Sequence, residues 1–177
     1  MTERRDLAPL IVTALLPPDI HRWATRLREA HYPPERNFLE AHVTLFHALP
    51  PHYEREVRDA LAAAARECAP PPARLEGVMS LGGGTALRLA SPATLALREQ
   101  LADTFHGLLT AQDRHPPRLH VTVQNKVSPG EAKALQAELG AVVEPRSFAF
   151  PGLALYRYLD GPWEEVRKYA FRGGAHV

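Results

Sequence analysis

The chain contains 177 residues, of which 45% are hydrophobic and 23% are charged, and its formal net charge is +1. These ordinary globular values suit one domain, or two small lobes that pack intimately, with a substantial core. The near-zero charge excludes a strong sequence-independent attraction to nucleic acid, so a nucleic-acid partner must be held by local contacts.

The cysteine content and the N-terminus restrict the class of protein further. Cys68 is the single cysteine, which excludes an intramolecular disulfide and a cysteine metal cluster. The charged N-terminal residues lead into an apolar run of strand length, not into a signal peptide or a membrane span. We expect a soluble, cytoplasmic protein with no membrane contact.

Hydrophobic periodicity predicts strands and helices that alternate along the chain. In chain order they are a strand at 10–16, a helix from 18 to the prolines at 33–34, a strand at 39–49, a helix at 53–68, strands at 75–81 and 85–90, a helix at 91–109, a strand at 118–127, a helix at 128–140, and strands at 148–159 and 163–171. The glycine run 82–84 lacks the Lys-Ser/Thr ending of a phosphate loop, so we interpret it as a hairpin turn. Hairpins and proline-rich links favour antiparallel sheets and an α+β fold.

Two of the predicted strands carry the same His-Val-Thr-aliphatic sequence. One is His42-Val43-Thr44-Leu45 and the other is His120-Val121-Thr122-Val123. About 0.5 His-x-Thr matches are expected by chance, and about 0.02 when both positions x must be Val, Leu or Ile. Finding two such matches therefore indicates a function. At a strand period of two, each His shares one face with its Thr, and the apolar residues lie on the other.

Two histidines that face one cleft have a definite chemistry. Because the ordinary pKa of histidine is about 6.5, one imidazole can accept a proton from an attacking hydroxyl or water while the other donates one to a departing oxygen of a phosphate. The Thr hydroxyl, about 6.6 Å farther along the strand, can bond a non-bridging phosphate oxygen. One motif lies in each half of the chain, which suggests two similar lobes that face each other.

The paired motifs resemble those of the 2H phosphoesterase superfamily, which contains RNA 2′,3′-cyclic phosphodiesterases and 2′-5′ RNA ligase-like proteins. The likeness in strand and helix order covers nearly the whole chain. It implies one domain, residues 1–177, that consists of two intimately packed lobes. Two pseudo-symmetric, antiparallel-rich sheets face a central cleft, and the helices lie on the outside. It also implies catalysis by His42, Thr44, His120 and Thr122 without a metal or cofactor. By family analogy His42 is the general acid and His120 the base, although the roles could be exchanged because the two motifs are alike.

The resemblance also implies a substrate with a cyclic or 2′-5′ phosphodiester. We expect RNA termini or small nucleotides whose 2′,3′-cyclic phosphates are opened to 2′-phosphates, with weak reverse 2′-5′ ligation, by a monomeric enzyme. Strand parity adds five candidate substrate-binding residues, Phe46, Arg118, Lys126, Tyr156 and Tyr158. The two cations could instead be strand-end charges in solvent, and the three aromatic residues could be core.

Three alternatives remain open from the sequence. A metallohydrolase could use the two motif histidines as ligands, although neither strand supplies carboxylates at ligand spacing. A non-catalytic RNA-binding or nucleotide-binding module could keep the same fold. A 2H enzyme could act on another substrate, such as a 2′-5′ oligonucleotide or ADP-ribose cyclic phosphate.

Overall fold

The computed structural model describes residues 2–174, which form two four-stranded antiparallel sheets. The strands are β1 (Leu10–Leu15), β2 (Val43–Leu49), β3 (Pro72–Ser80), β4 (Thr85–Ala90), β5 (His120–Gln124), β6 (Arg146–Ala149), β7 (Gly152–Tyr158) and β8 (Trp163–Ala170). The helices are α1 (Thr2–Asp6), α2 (Pro18–His31), α3 (Glu54–Glu67), α4 (Pro92–Thr104) and α5 (Pro129–Val142), with 3₁₀ turns at Pro34–Arg36 and Pro51–Tyr53. Residues 1 and 175–177 of the predicted domain lie outside the described residues.

The two sheets confirm the predicted α+β, two-lobed architecture. Sheet A has the strand order β2-β1-β7-β8, and sheet B has the order β5-β4-β3-β6. Helix α3 packs on β7 and β8, whereas α4 and α5 pack on β3. The buried apolar residues of both sheets form one continuous cluster. None of the helices within residues 2–174 has the length and apolar character needed to cross a membrane.

The lobes are not simply the two halves of the chain. The C-terminal hairpin β7-β8 returns to pair with β1 in sheet A. The predicted single strand at 148–159 is wrong for this reason: β6 pairs with β3 in sheet B, and β7 pairs with β1 in sheet A. Pro151 separates them, because proline has no N–H to continue a ladder.

Other element bounds also differ from the prediction. Helix α4 ends at Thr104 instead of continuing to residue 109, and Gly107 has φ +84°, which a right-handed helix does not allow. The glycine run 82–84 forms the predicted hairpin turn between β3 and β4. A Cβ at Gly84 would lie 2.7 Å from the Cα of Asn125, so only glycine lets this turn pack against the end of β5.

Both motif strands contain a β-bulge at the same position of the motif. In β2, Thr44 pairs with Thr13 but Phe46 pairs with Val12, so Leu45 is the extra residue. In β5, Thr122 pairs with Ala86 but Gln124 pairs with Thr85, so the extra residue is the last one of that motif. A bulge exchanges the faces of the residues that follow it. Side-chain parity predicted from the sequence is therefore valid up to each Thr and fails beyond it.

A buried arginine joins the two motif strands. Helix α2 buries Ile20, Ala24 and Arg28 on one stripe, and the helix packs against β5 of sheet B. The Arg28 guanidinium donates through Nη1 to the carbonyl of Thr122 (2.8 Å) and through Nε to the carbonyl of Leu39 (3.1 Å). Its Nη2 donates to Asn37 Oδ1 (3.1 Å). One side chain thus connects the segment before His42 with the strand of the second motif.

A second buried contact joins the other end of β2 to sheet B's lobe. Asp113, 1% exposed, accepts hydrogen bonds from the backbone N–H groups of His47 and Ala48, at 2.9 and 3.0 Å. Arg98 of α4 donates to the carbonyls of Leu45 and Asp113 and lies over the Phe46 ring at 4.3 Å. Strand β2 is therefore held to the opposite lobe at both ends.

The first prediction concerns the Arg28 connection. Arg28→Met should lower the free energy of unfolding by about 3 kcal/mol or more, because buried carbonyl acceptors lose their donors. Urea unfolding measures this loss, and the control is Arg26→Met at an exposed position of the same helix, expected within about 0.5 kcal/mol of wild type. Equal effects of the two substitutions would contradict a connecting role for Arg28.

Candidate active site

The two motif histidines occupy equivalent positions on the edge strands of the two sheets. His42 directly precedes β2, and His120 is the first residue of β5. Strands β2 and β5 lie next to each other where the lobes meet. The structure thus brings the two motifs together from different sheets.

Each imidazole is held by the backbone in the same way. Nδ1 of His42 donates to the Glu40 carbonyl at 2.8 Å, and Nδ1 of His120 donates to the Arg118 carbonyl at 2.5 Å. Because a carbonyl can only accept, Nδ1 carries a hydrogen in both rings. Nε2 is then the nitrogen that can exchange a proton with a substrate.

The surroundings of His42 favour its neutral form. The Trp163 ring lies 4.6 Å from the His42 ring, at an angle of 56°. Burial lowers the pKa of His42 to about 4, opposed by the bond to the Glu40 carbonyl, and the nearby charges of Arg28, His120 and His47 lower it further. At neutral pH the His42 imidazole is therefore an uncharged acceptor at Nε2.

His42 lines a cavity of about 460 Å³ on the side of sheet A. Thr13, Tyr156, Glu165 and Lys168 also line it, so polar groups surround an opening next to the imidazole. Burial, reinforced by the Glu165 carboxylate, raises the pKa of Tyr156, which keeps its hydroxyl a neutral donor. The lining of this cavity thus combines polar side chains with the Tyr156 ring.

The predicted substrate contacts have different outcomes. Tyr156 lines the cavity beside His42, and the exposed Tyr158 pairs with Trp163 across the hairpin. The prediction for Phe46 is wrong: this side chain is 0% exposed, because the bulge at Leu45 turns it into the core.

Neither predicted cation lies within a motif strand. Arg118 precedes β5, and its carbonyl orients His120 while its side chain is exposed. Lys126 follows the end of β5 in an exposed turn, with φ +61°. The strand parity on which the Lys126 prediction depended therefore does not apply.

Sequence reasoning missed Trp163 and Arg28 as site residues. Trp163 reaches His42 through the pairing of β7 with β1 and β8, which no local pattern reveals. Arg28 did carry a signal, because a charged residue occupies the apolar stripe of α2. Within residues 2–174, no three His, Cys, Asp or Glu side chains come together in a group that could hold a metal ion.

The fold and the paired His-x-Thr strands define a 2H phosphoesterase. A model of the 2′-5′ RNA ligase superfamily matches residues 16–162, and the chain belongs to this superfamily. Membership supports an enzyme of phosphoester chemistry. No curated protein sequence matches the chain significantly.

Solved structures share the fold over nearly the whole chain. TT0787 of Thermus thermophilus is 19% identical, with a TM-score of 0.66, over 94% of this chain and 100% of that one. E. coli LigT complexed with NADP+ is 19% identical, with a TM-score of 0.60, over 94% and 99% of the two chains. A structure described as a phosphoesterase is also 19% identical, with a TM-score of 0.58, over 93% and 98%.

The pKa of His42 generates the second prediction. An NMR titration, with the resonance assigned from a His42→Gln variant, should give a midpoint of about 4. Trp163→Ala should raise this midpoint toward the ordinary value of about 6.5, because water gains access to the ring, whereas Trp163→Phe should preserve most of the shift. A wild-type midpoint near the ordinary value would contradict the described environment.

Proposed function

We propose that this chain is a metal-independent phosphodiesterase that opens 2′,3′-cyclic phosphates of RNA ends or nucleotides to 2′-phosphates. The observation that carries the proposal is the matched pair of imidazoles on adjoining edge strands, each oriented by the carbonyl two residues before it. With the 5′-hydroxyl of a second RNA in place of water as the nucleophile, the same opening of the cyclic phosphate would weakly join RNA ends through a 2′-5′ bond.

The proposed reaction is an in-line attack of water on the cyclic phosphorus. One imidazole takes a proton from the water as the new P–O bond forms, and the other gives its proton to O3′ as the P–O3′ bond breaks. The product carries a 2′-phosphate and a 3′-hydroxyl, so the protons and the oxygen atoms balance. Thr44 and Thr122 supply hydroxyl donors to the non-bridging phosphate oxygens.

Family analogy makes His42 the general acid and His120 the base. The lowered pKa of His42 favours the opposite assignment. A general base must be neutral in the free enzyme, and His42 with a pKa of about 4 meets this requirement at neutral pH. We therefore assign His42 as the base for water and His120 as the acid for O3′. The neighbouring Arg28 charge acts in the same direction, because it disfavours a second positive charge on His42.

Nucleotide recognition is assigned to the cavity beside His42. Crystal structures of E. coli LigT contain NADP+, 3′-AMP or ATP. For this chain we propose that Tyr156 and Trp163 pack against a nucleoside and that Arg118 and Tyr158 contact the substrate at the rim. We also propose that the enzyme acts as a cytoplasmic monomer.

The third prediction separates base from acid. His42→Ala and His120→Ala should each lower turnover of a 2′,3′-cyclic nucleotide by about 10²-fold or more. On a 4-nitrophenyl phosphodiester of a nucleoside, His120→Ala should lose about tenfold or less, because nitrophenolate leaves without a proton, whereas His42→Ala should still lose about 10²-fold.

The control for this comparison is His52→Ala, which removes an exposed imidazole outside the motifs and should leave both activities unchanged. Thermal melts of all variants should agree with wild type. If His42→Ala lost about tenfold or less on the nitrophenyl ester and His120→Ala lost about 10²-fold, His42 would be the acid and His120 the base. Retained turnover in both motif variants would defeat the paired mechanism.

The fourth prediction is the pH dependence of kcat/KM, which reports the free enzyme. Efficiency should rise as the pH increases through about 4, where His42 becomes neutral, and general acid catalysis adds a falling limb at higher pH. Initial rates in EDTA should equal those without it. If His42 were the acid, efficiency would decrease as the pH rises above about 4. Chelator-sensitive rates with a single rising limb would indicate a metal hydroxide instead.

A further inference from the structure

A second cavity, of about 220 Å³, lies beside the outer edge of sheet A. It is formed between the C-terminal part of α3 and β8, which is an edge strand. Arg66, Arg167, Lys168, Tyr169 and Arg172 are among the residues that line it. None of these residues belongs to the His-x-Thr motifs, and the proposed reaction does not use this cavity.

The lining of this cavity has a local excess of positive charge. Its four charged side chains are Arg66, Arg167, Lys168 and Arg172, all of them cationic, in a chain whose formal net charge is only +1. In the part of the chain that the structure describes, no carboxylate forms an ion pair with any of the three arginines, whereas Lys168 pairs with Glu165 at 3.4 Å. Both members of that pair are exposed, so exchanging the carboxylate for another anion would cost little.

Tyr169 supplies a second indication of a binding site. The residue is only 7% exposed, and its buried hydroxyl has no hydrogen-bond partner among the described residues. Buried hydroxyls in folded proteins normally have a partner. The Arg167 guanidinium lies 5.6 Å from the Tyr169 ring centroid, which places a cation over the ring that carries this hydroxyl. An anionic oxygen bound in the cavity would accept a hydrogen bond from the Tyr169 hydroxyl and neutralise the Arg167 guanidinium.

The sheet register connects this cavity with the active site. Thr44 of the first motif pairs with Thr13, Thr13 pairs with Ala154, and Ala154 pairs with Lys168. Residues paired in this way share one sheet face, and three strand spacings correspond to about 14 Å. Lys168 lines both cavities and so joins them at the edge strand. Arg167 and Tyr169, on either side of Lys168 in β8, face the other side of the sheet, so a chain of phosphodiesters that leaves the catalytic cleft along this row reaches the arginines by passing round the edge strand at Lys168.

We propose that Arg66, Arg167 and Arg172, with the Tyr169 hydroxyl, form a second phosphate-binding site that holds the backbone of a single-stranded RNA whose end lies between the motif histidines. This inference rests on the proposed function for the location of the RNA end. The site makes an RNA chain, and not a free nucleotide, the preferred substrate. The contacts are to phosphate and carry no base specificity.

The test is binding of a fluorescein-labelled single-stranded RNA of about 12 nucleotides that ends in a 2′-phosphate, measured by anisotropy. The variant is R66Q/R167Q/R172Q, which spares Lys168 because that residue also lines the catalytic cavity. The control is R26Q/R114Q/K133Q, which removes the same charge from exposed positions outside both cavities. Turnover of a 2′,3′-cyclic mononucleotide is measured in parallel.

The arginine variant should bind the RNA roughly tenfold or more weakly, and its slope of log K against log salt should fall by about 2, since three contacts to a single strand are lost. Tyr169→Phe should weaken RNA binding less and leave the thermal melt unchanged. Mononucleotide turnover should stay at the wild-type level in both. If the triple variant does not fold, the single Arg→Gln variants carry the comparison.

Unchanged RNA binding, or equal weakening in the control variant, would overturn the second site. If wild type opens no cyclic phosphate, the proposed function fails, and the RNA binding measurement still decides whether the second site exists. A loss of mononucleotide turnover in a folded arginine variant would show that these residues belong to the catalytic cleft and would also overturn the inference.

Discussion

The buried Arg28 guanidinium determines how the two motif strands sit relative to each other. A pair of histidines can transfer two protons across one phosphate only if both are held in a fixed geometry, and here the two motif strands belong to separate sheets. Arg28 bonds the Leu39 carbonyl, three residues before His42, and the Thr122 carbonyl, two residues after His120. Burying a cation is costly, and carbonyl acceptors on both strands offset that cost only while the lobes keep this arrangement. The same charge lies close enough to lower the pKa of His42, so one residue affects both geometry and electrostatics.

The sequence predicted the features that depend on neighbouring residues. Apolar periodicity located every long helix, and Ser128 caps α5 by accepting the N–H of Glu131 as the sequence indicated. The His-x-Thr pattern placed the two motifs on strands because parity operates over three residues without reference to a partner strand. Parity failed beyond the motif, where Phe46 and Gln124 became buried. The bulges that caused this failure exist only in the pairing of β2 with β1 and of β5 with β4, which a single segment does not encode.

Long-range pairing accounts for the remaining differences. Residues 148–159 are divided between two sheets because β6 pairs with β3 and β7 pairs with β1. Both partner strands lie far away in sequence. Trp163 comes into contact with His42 through the same return of the C-terminal hairpin. Local propensity contains no signal for such contacts, and the apolar character of Trp163 is equally suited to a core position.

The two motifs are nearly identical in sequence and local geometry, so any difference between the histidines must come from their surroundings. The strand position, the carbonyl bond and the bulge after the Thr are common to both. His42 additionally packs against Trp163 and lies near Arg28, and no equivalent ring contact is found for His120 within the described residues. General acid–base catalysis requires two groups in opposite protonation states. A pseudo-symmetric scaffold with unequal surroundings provides a difference, because burial lowers the pKa of His42. The hairpin that covers His42, and not the motifs themselves, therefore distinguishes the two imidazoles.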